Sequence, residues 1–113
     1  MPRDNESLID IQTAACRILH YARGVDRTAL EANDEKVSAI LYQITILGEA
    51  TKRLSPELRQ QHLEIPWKEI AGMRDVMVHE YDQVDLDVVW DVIQNKLPEL
   101  LILLQPLLPL ENT

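Results

Sequence analysis

The chain has 113 residues, a formal net charge of −8 and one cysteine, which fits a single domain over residues 1–113 with enough length to bury a core. A hydrophobic content of 46% without any Phe and with only 3 Gly favours packed helices over a sheet of short strands. The acidic balance excludes a broad basic face for nonspecific nucleic-acid binding, and a lone cysteine excludes an intrachain disulfide; with neither a zinc-ligand spacing nor a signal-peptide core, the chain reads as cytoplasmic.

Leu8, Ile11, Ala15, Ile18 and Ala22 recur three and four residues apart and predict a first helix over 5–23, with Gly24 placed to end it in a left-handed conformation. Cys16 has apolar neighbours and is expected in the core. A short helical turn is expected over 26–32. Val37, Ile40, Leu41, Ile44, Leu47, Thr51 and Leu54 form the second stripe, which Asn33 or Asp34 can cap. Gly48 inside this stripe lowers helix propensity and points to the close approach of a neighbouring helix. Ser55-Pro56-Glu57 combines an N-cap, a proline at the first helical position and an acidic first turn, so a short helix should run through Gln61. His20 and His62 read as surface or helix-end histidines, since no His or Cys stands at metal-ligand spacing from them.

Pro66 opens a third helix that carries Trp67, Ile70, Met73 and Met77 inward, with Arg74 on the same helix. Asp85 can cap a fourth, in which Leu86, Val89, Trp90, Ile93, Leu97, Leu100, Leu101 and Leu104 keep helical spacing. Pro98 lies inside that pattern and predicts a kink with a lost backbone hydrogen bond. Trp67 and Trp90 are expected as core anchors. Leu101, Leu103, Leu104, Leu107 and Leu108 exceed one helix face, so a second chain or a fold-back beyond Pro106 must cover some of them. Gln105, Pro106 and Pro109 break this stretch, which is too short to span a bilayer. The plan is all-α, a compact antiparallel bundle of four to five helices.

The segment Arg74-Asp75-Val76-Met77-Val78-His79-Glu80-Tyr81 gathers a cation, a proton-transfer group and a phenol. A guanidinium forks onto phosphate oxygens and an imidazole exchanges a proton near neutral pH, so the trio suits chemistry on a phosphodiester. On a straight helix Arg74 and Tyr81 fall nearly on one face while His79 points roughly 140° away from Arg74. Either the helix ends near Val78 and lets His79 turn back, or the same residues of a second chain complete the site across a two-fold axis.

The order Arg-x4-His-x-Tyr resembles the signature of the HEPN superfamily, and specifically the HepT-like toxins paired with a minimal nucleotidyltransferase. The likeness extends to Leu47-Gly48-Glu49-Ala50 with Lys52-Arg53-Leu54, to Ile65-Pro66-Trp67 with Ile70-Ala71-Gly72-Met73, and to Val84-Asp85, Val89-Trp90 and Leu97-Pro98-Glu99-Leu100. It implies a HEPN-like helical homodimer and a metal-independent endoribonuclease toxin of a toxin–antitoxin pair, acting on RNA without a cofactor. In those terms Arg74 and His79 are catalytic, Arg74 for charge on the phosphate and His79 for proton transfer. Tyr81 is the acceptor of adenylyl groups added by the nucleotidyltransferase antitoxin, which inactivates the toxin. Asp75 supports the site by pairing with Arg74 or orienting His79, although its charge opposes an approaching phosphate. Glu49 has two readings, a buried salt bridge to Arg74 or a place in the site. The alternative is a noncatalytic helical dimer that acts as a protein- or nucleotide-binding module.

Overall fold

A computed structural model of the chain describes residues 3–79 and 83–109. Helix α1 (Asp4–Tyr21) buries Leu8, Ile11, Ala14, Ala15 and Ile18, and helix α3 (Asp34–Lys52) buries Ile40, Ile44, Leu47 and Ala50. These long helices pack on each other and form the centre of the core. Between them Gly24 takes a φ of 72°, a conformation that only glycine adopts without strain, and short α2 (Arg27–Glu31) drops Leu30 into the core. Asp26 accepts from the Ala29 N–H at 2.8 Å and Asn33 from the Lys36 N–H at 2.9 Å, so each helix start gains a partner for an orphan donor.

Ser55 caps α4 (Pro56–Gln61) by accepting from the Leu58 N–H at 3.2 Å. It is itself held from a distance in sequence. The Ser55 hydroxyl donates to one Asp4 carboxylate oxygen at 2.6 Å and the Ser55 N–H to the other at 2.9 Å. Asp4 and Ser55 are both buried, so this link ties the start of α1 to the corner after α3. Burial pushes the Asp4 pKa up, but the hydroxyl and backbone hydrogen bonds from Ser55 pull the other way, and the net direction is downward.

The expected third helix is two short ones, α5 (Trp67–Ala71) and α6 (Met73–Met77), separated by Gly72. Gly72, with its weak helix propensity, sits at φ −99° and ψ 11°, which bends the path while leaving Ile70, Met73 and Met77 all buried. Trp67 is buried with its indole N–H donating to the His62 carbonyl at 3.0 Å. After α6 the backbone becomes extended. Strand β1 (Val78–His79) pairs antiparallel with β2 (Gln83–Val84), Val78 opposite Val84 and His79 opposite Gln83, and the Asp85 N–H closes the pair onto the Met77 carbonyl at 2.7 Å. Glu80 and Tyr81 lie outside the described residues.

Asp85 caps α7 (Leu86–Asp91), accepting from the N–H groups of Asp87 and Val88. Helical backbone then continues as a π-helical turn (Val92–Lys96), α8 (Leu97–Leu104) and a 3₁₀ turn (Gln105–Leu107). The expected irregularity at Pro98 is thus a widened turn just before it, in which the Leu97 N–H reaches the Val92 carbonyl five residues back. Two surface pairs brace this rod: Lys96 to Glu69 of α5 at 2.8 Å, and Arg27 of α2 to Asp87 of α7 at 2.8 Å. The hydrogen bond and negative charge of Glu69 raise the Lys96 pKa, and those of Asp87 do the same for Arg27.

The architecture is the expected all-α bundle, with α1, α3 and the α7–α8 rod as its long members. Cys16 departs from expectation: it is exposed, because the buried face of α1 is set by Ile11, Ala15 and Ile18 and residue 16 is turned about 100° from Ala15. Trp90 is half-buried rather than a central anchor. Leu107 and Leu108 pack half-buried against the core, which fits the fold-back reading, while Ile102 is 74% exposed. Among the described residues no helix is long and apolar enough to cross a membrane.

The lowered Asp4 pKa fixes the sign of a pH effect. Its contribution is fully present above the unfolded value near 3.8 and is lost as pH falls through the lower folded value. Asp4→Ala should therefore cost about 1–3 kcal/mol at pH 7, because it also strands a buried Ser55 N–H, and the gap from wild type in urea unfolding should narrow below pH 4.

Candidate active site

The site begins with two helices brought close by a missing side chain. A Cβ built on Gly48 of α3 would lie 3.0 Å from the carbonyl oxygen of Ala71, the last residue of α5. Because that oxygen belongs to backbone, it cannot swing aside. Gly48 therefore permits a close approach, as its place in the helical stripe predicts, and the chain enters α6 already lying against α3.

The approach leaves an open cleft of about 390 Å³, lined by Ile44, Thr45, Gly48, Glu49 and Lys52 of α3, Ala71 of α5, and Arg74 and Asp75 of α6. Its base is Gly48 and the buried Ile44, and its rim is polar. Arg74 is exposed and makes no hydrogen bond or ion pair with any described residue. Its guanidinium N–H donors are therefore available to an anion in the cleft.

The predicted partners of Arg74 are not engaged with it. Glu49 is exposed and its carboxylate lies 3.5 Å from the Lys52 ammonium, three residues along the same helix, so the buried Glu49–Arg74 bridge is absent among the described contacts. Asp75 lines the same cleft but does not pair with Arg74, since consecutive helical residues diverge by about 100°. The cleft holds two cations and two carboxylates, of which Glu49 and Lys52 offset one another.

His79 is placed by its backbone in β1, two residues beyond the end of α6. Helix α6 ends at Met77, so the straight-helix geometry that would turn His79 away from Arg74 does not apply. Tyr81 lies outside the described residues. His20 is exposed, and His62 ends α4 with its ring 3.5 Å from Glu64. Among the described residues no three His, Cys, Asp or Glu side chains are grouped to hold a metal ion.

Thr45 and Lys52 are cleft residues that the sequence reading did not single out. The signal was available: Thr45, Gly48, Glu49 and Lys52 are spaced as one helical face, next to the face that carries Ile40, Ile44, Leu47 and Thr51 inward.

The family described as "Ribonuclease HepT-like" matches residues 11–107 of the chain. A protein of Thermococcus cleftensis named "Probable ribonuclease HepT" is 39% identical over 93 residues, which cover 82% of this chain and 84% of that protein. A "Putative RNase" of Caldanaerobacter subterraneus subsp. tengcongensis is 47% identical over 62 residues, 55% of each chain. A Methanocaldococcus jannaschii protein that joins a gamma-glutamylcyclotransferase to such an RNase is 44% identical over 62 residues, 55% of this chain and 28% of its own. The match thus spans about half of one of these relatives and about a quarter of the other. No solved structure matches the chain.

If the Gly48–Ala71 approach sets the cleft, filling it must push α5 outward. Gly48→Val should cost about 1–3 kcal/mol in thermal or urea unfolding, as overpacking of a close contact does. A variant as stable as the parent would show that the helices move apart at no cost.

Proposed function

Because the chain belongs to the HepT-like ribonuclease family, we propose that it is a metal-independent endoribonuclease that uses Arg74 and His79 on RNA. The observation that carries this reading is Arg74 itself, exposed in a polar cleft with its guanidinium free of described partners. In a helical protein of net charge −8, an arginine among carboxylates without a described partner is a feature that stability does not require.

The chemistry assigned to these residues is in-line displacement at phosphorus. One His79 imidazole takes the proton of the ribose 2′-hydroxyl, whose oxygen attacks the adjacent phosphate. A second imidazole returns a proton to the departing 5′-oxygen. The Arg74 guanidinium meets the charge that builds on the non-bridging oxygens. Two proton transfers exceed what one His79 does at once, so the reading includes a homodimer whose two-fold axis supplies the mate. Asp75 would support the site from its position beside Arg74.

The biological setting in this reading is a toxin–antitoxin pair in the cytoplasm. A minimal nucleotidyltransferase antitoxin transfers adenylyl groups to the Tyr81 hydroxyl, and the bulky anion then occupies the cleft beside Arg74. An unperturbed phenol, with a pKa of about 10, is a poor proton carrier at neutral pH, so Tyr81 suits modification better than proton transfer. The carboxylates of Glu49 and Asp75 in the cleft favour a second reading, a noncatalytic dimer that binds a protein or nucleotide.

The two readings part on one experiment. Expression of the chain alone should arrest growth and produce new RNA ends, and His79→Ala or Arg74→Ala should abolish both. In purified protein each substitution should lower cleavage by about 10²–10⁴-fold. Equal growth and intact RNA from wild type and folded His79→Ala would favour the binding module.

A further inference from the structure

An acidic protein that holds RNA needs a source of affinity other than long-range charge. Base stacking on an aromatic ring is such a source, since every base has a π-face and the contact does not depend on net charge. The aromatic residues of this chain are two Trp and three Tyr. Trp67 is buried, Trp90 and Tyr21 are half-buried, and Tyr81 lies outside the described residues. Tyr42 differs from them: the residue is 64% exposed, the most exposed aromatic among the described residues.

Its position matters as much as its exposure. Tyr42 lies on α3 one turn before Thr45 and seven residues before Glu49, and both of those line the Arg74 cleft. Residues three apart on a helix are surface neighbours about 5–6 Å apart at Cβ. Residues seven apart differ by only about 20° in direction. Tyr42 therefore extends the outer wall of the cleft by one turn, in line with Glu49. The core does not need it, since Ile40, Ile44 and Leu47 already supply the buried face of this part of α3.

We propose that Tyr42 is a stacking platform for an unpaired RNA base whose strand continues into the Arg74 cleft. The proposal rests on the ribonuclease reading above. It assigns single-stranded RNA as the substrate class, because a paired base cannot lay its face on an exposed side chain. Arg74 meets the phosphate; Tyr42 holds a base along the same wall and so acts in binding rather than in bond cleavage.

The test uses a fluorescent 2′-O-methyl oligoribonucleotide, which lacks the attacking hydroxyl, together with an unmodified RNA of the same sequence. Tyr42→Ala should weaken binding of the first roughly ten-fold and raise KM for the second by a similar factor, with kcat unchanged. Tyr42→Trp, which keeps a stacking face, should restore both. Unchanged binding by Tyr42→Ala in a protein that still cuts RNA would overturn the stacking role and leave the nuclease standing. Tyr42-dependent binding without cleavage would support the platform and remove the nuclease. Wild type that neither binds nor cuts would end both. Light scattering closes the remaining route: if Tyr42→Ala changes the number of chains in the assembly, the ring is an interface between copies, and the proposal fails.

Discussion

The close approach of α3 and α5 at Gly48 is the constraint on which the rest of the site depends. Helices with ordinary side chains at their contact stand 8–10 Å apart. With only a hydrogen at position 48, the Ala71 carbonyl settles onto the surface of α3, and the first residues of α6 follow it. Ile70, Met73 and Met77 then anchor both short helices in the core, and Arg74, turned about 100° from Met73, flanks that buried face and lines the cleft against α3. The energetic account is ordinary core burial. The functional consequence is that one arginine stands in a cleft instead of on a convex surface.

A second constraint acts along the backbone. The run from Pro66 to Val78 has the apolar spacing of one helix, yet the chain bends at Gly72 and leaves helical geometry after Met77. The bend keeps the inward stripe intact, so spacing alone gives no sign of it. Extended Val78 and His79 satisfy part of their backbone hydrogen bonding across a ladder of two residues with Gln83 and Val84. A longer α6 would carry His79 round the helix axis; the short ladder instead turns the chain back, with the Asp85 N–H bonded to the Met77 carbonyl.

Much of this was legible in the sequence where a local rule acts alone. Asn33, Ser55 and Asp85 read as caps and are caps; Gly24 reads as a left-handed stop and has the positive φ; Gly48 reads as a close contact and is one. The stripes of α1 and α3 name their buried faces almost residue by residue. Part of what escaped was set by contacts distant in sequence and part by local geometry. The carboxylate of Asp4 meets Ser55 across 51 residues, a pairing that no window of sequence contains. Cys16 has apolar neighbours in the chain but lies off the buried face, an error of counting neighbours rather than angles. Pro98 marked a defect correctly without revealing that the helix absorbs it by widening into a π turn. In the site, the sequence offered Arg74 and Asp75 but suggested a partner for the arginine; the fold gives Glu49 to Lys52 instead.

The charge of the chain and the chemistry proposed for it are reconciled by distance. Screening at physiological ionic strength reduces exposed charges beyond about 8 Å to a weak background, so most of the 19 acidic residues do not act on a phosphate held in the cleft. At contact, a phosphate and Arg74 attract by about 4 kcal/mol near a protein surface, before desolvation is counted. Glu49 is offset by Lys52, which leaves Asp75 as the opposing charge among the described residues that line the cleft. One arginine against one aspartate is a narrow margin for holding a polyanion. In the ribonuclease reading, affinity would then draw on contacts that charge does not govern, such as an exposed apolar or aromatic surface beside the cleft. Such a surface on α3 would select for unpaired bases, so weak electrostatics in this fold would carry a preference for single-stranded substrates.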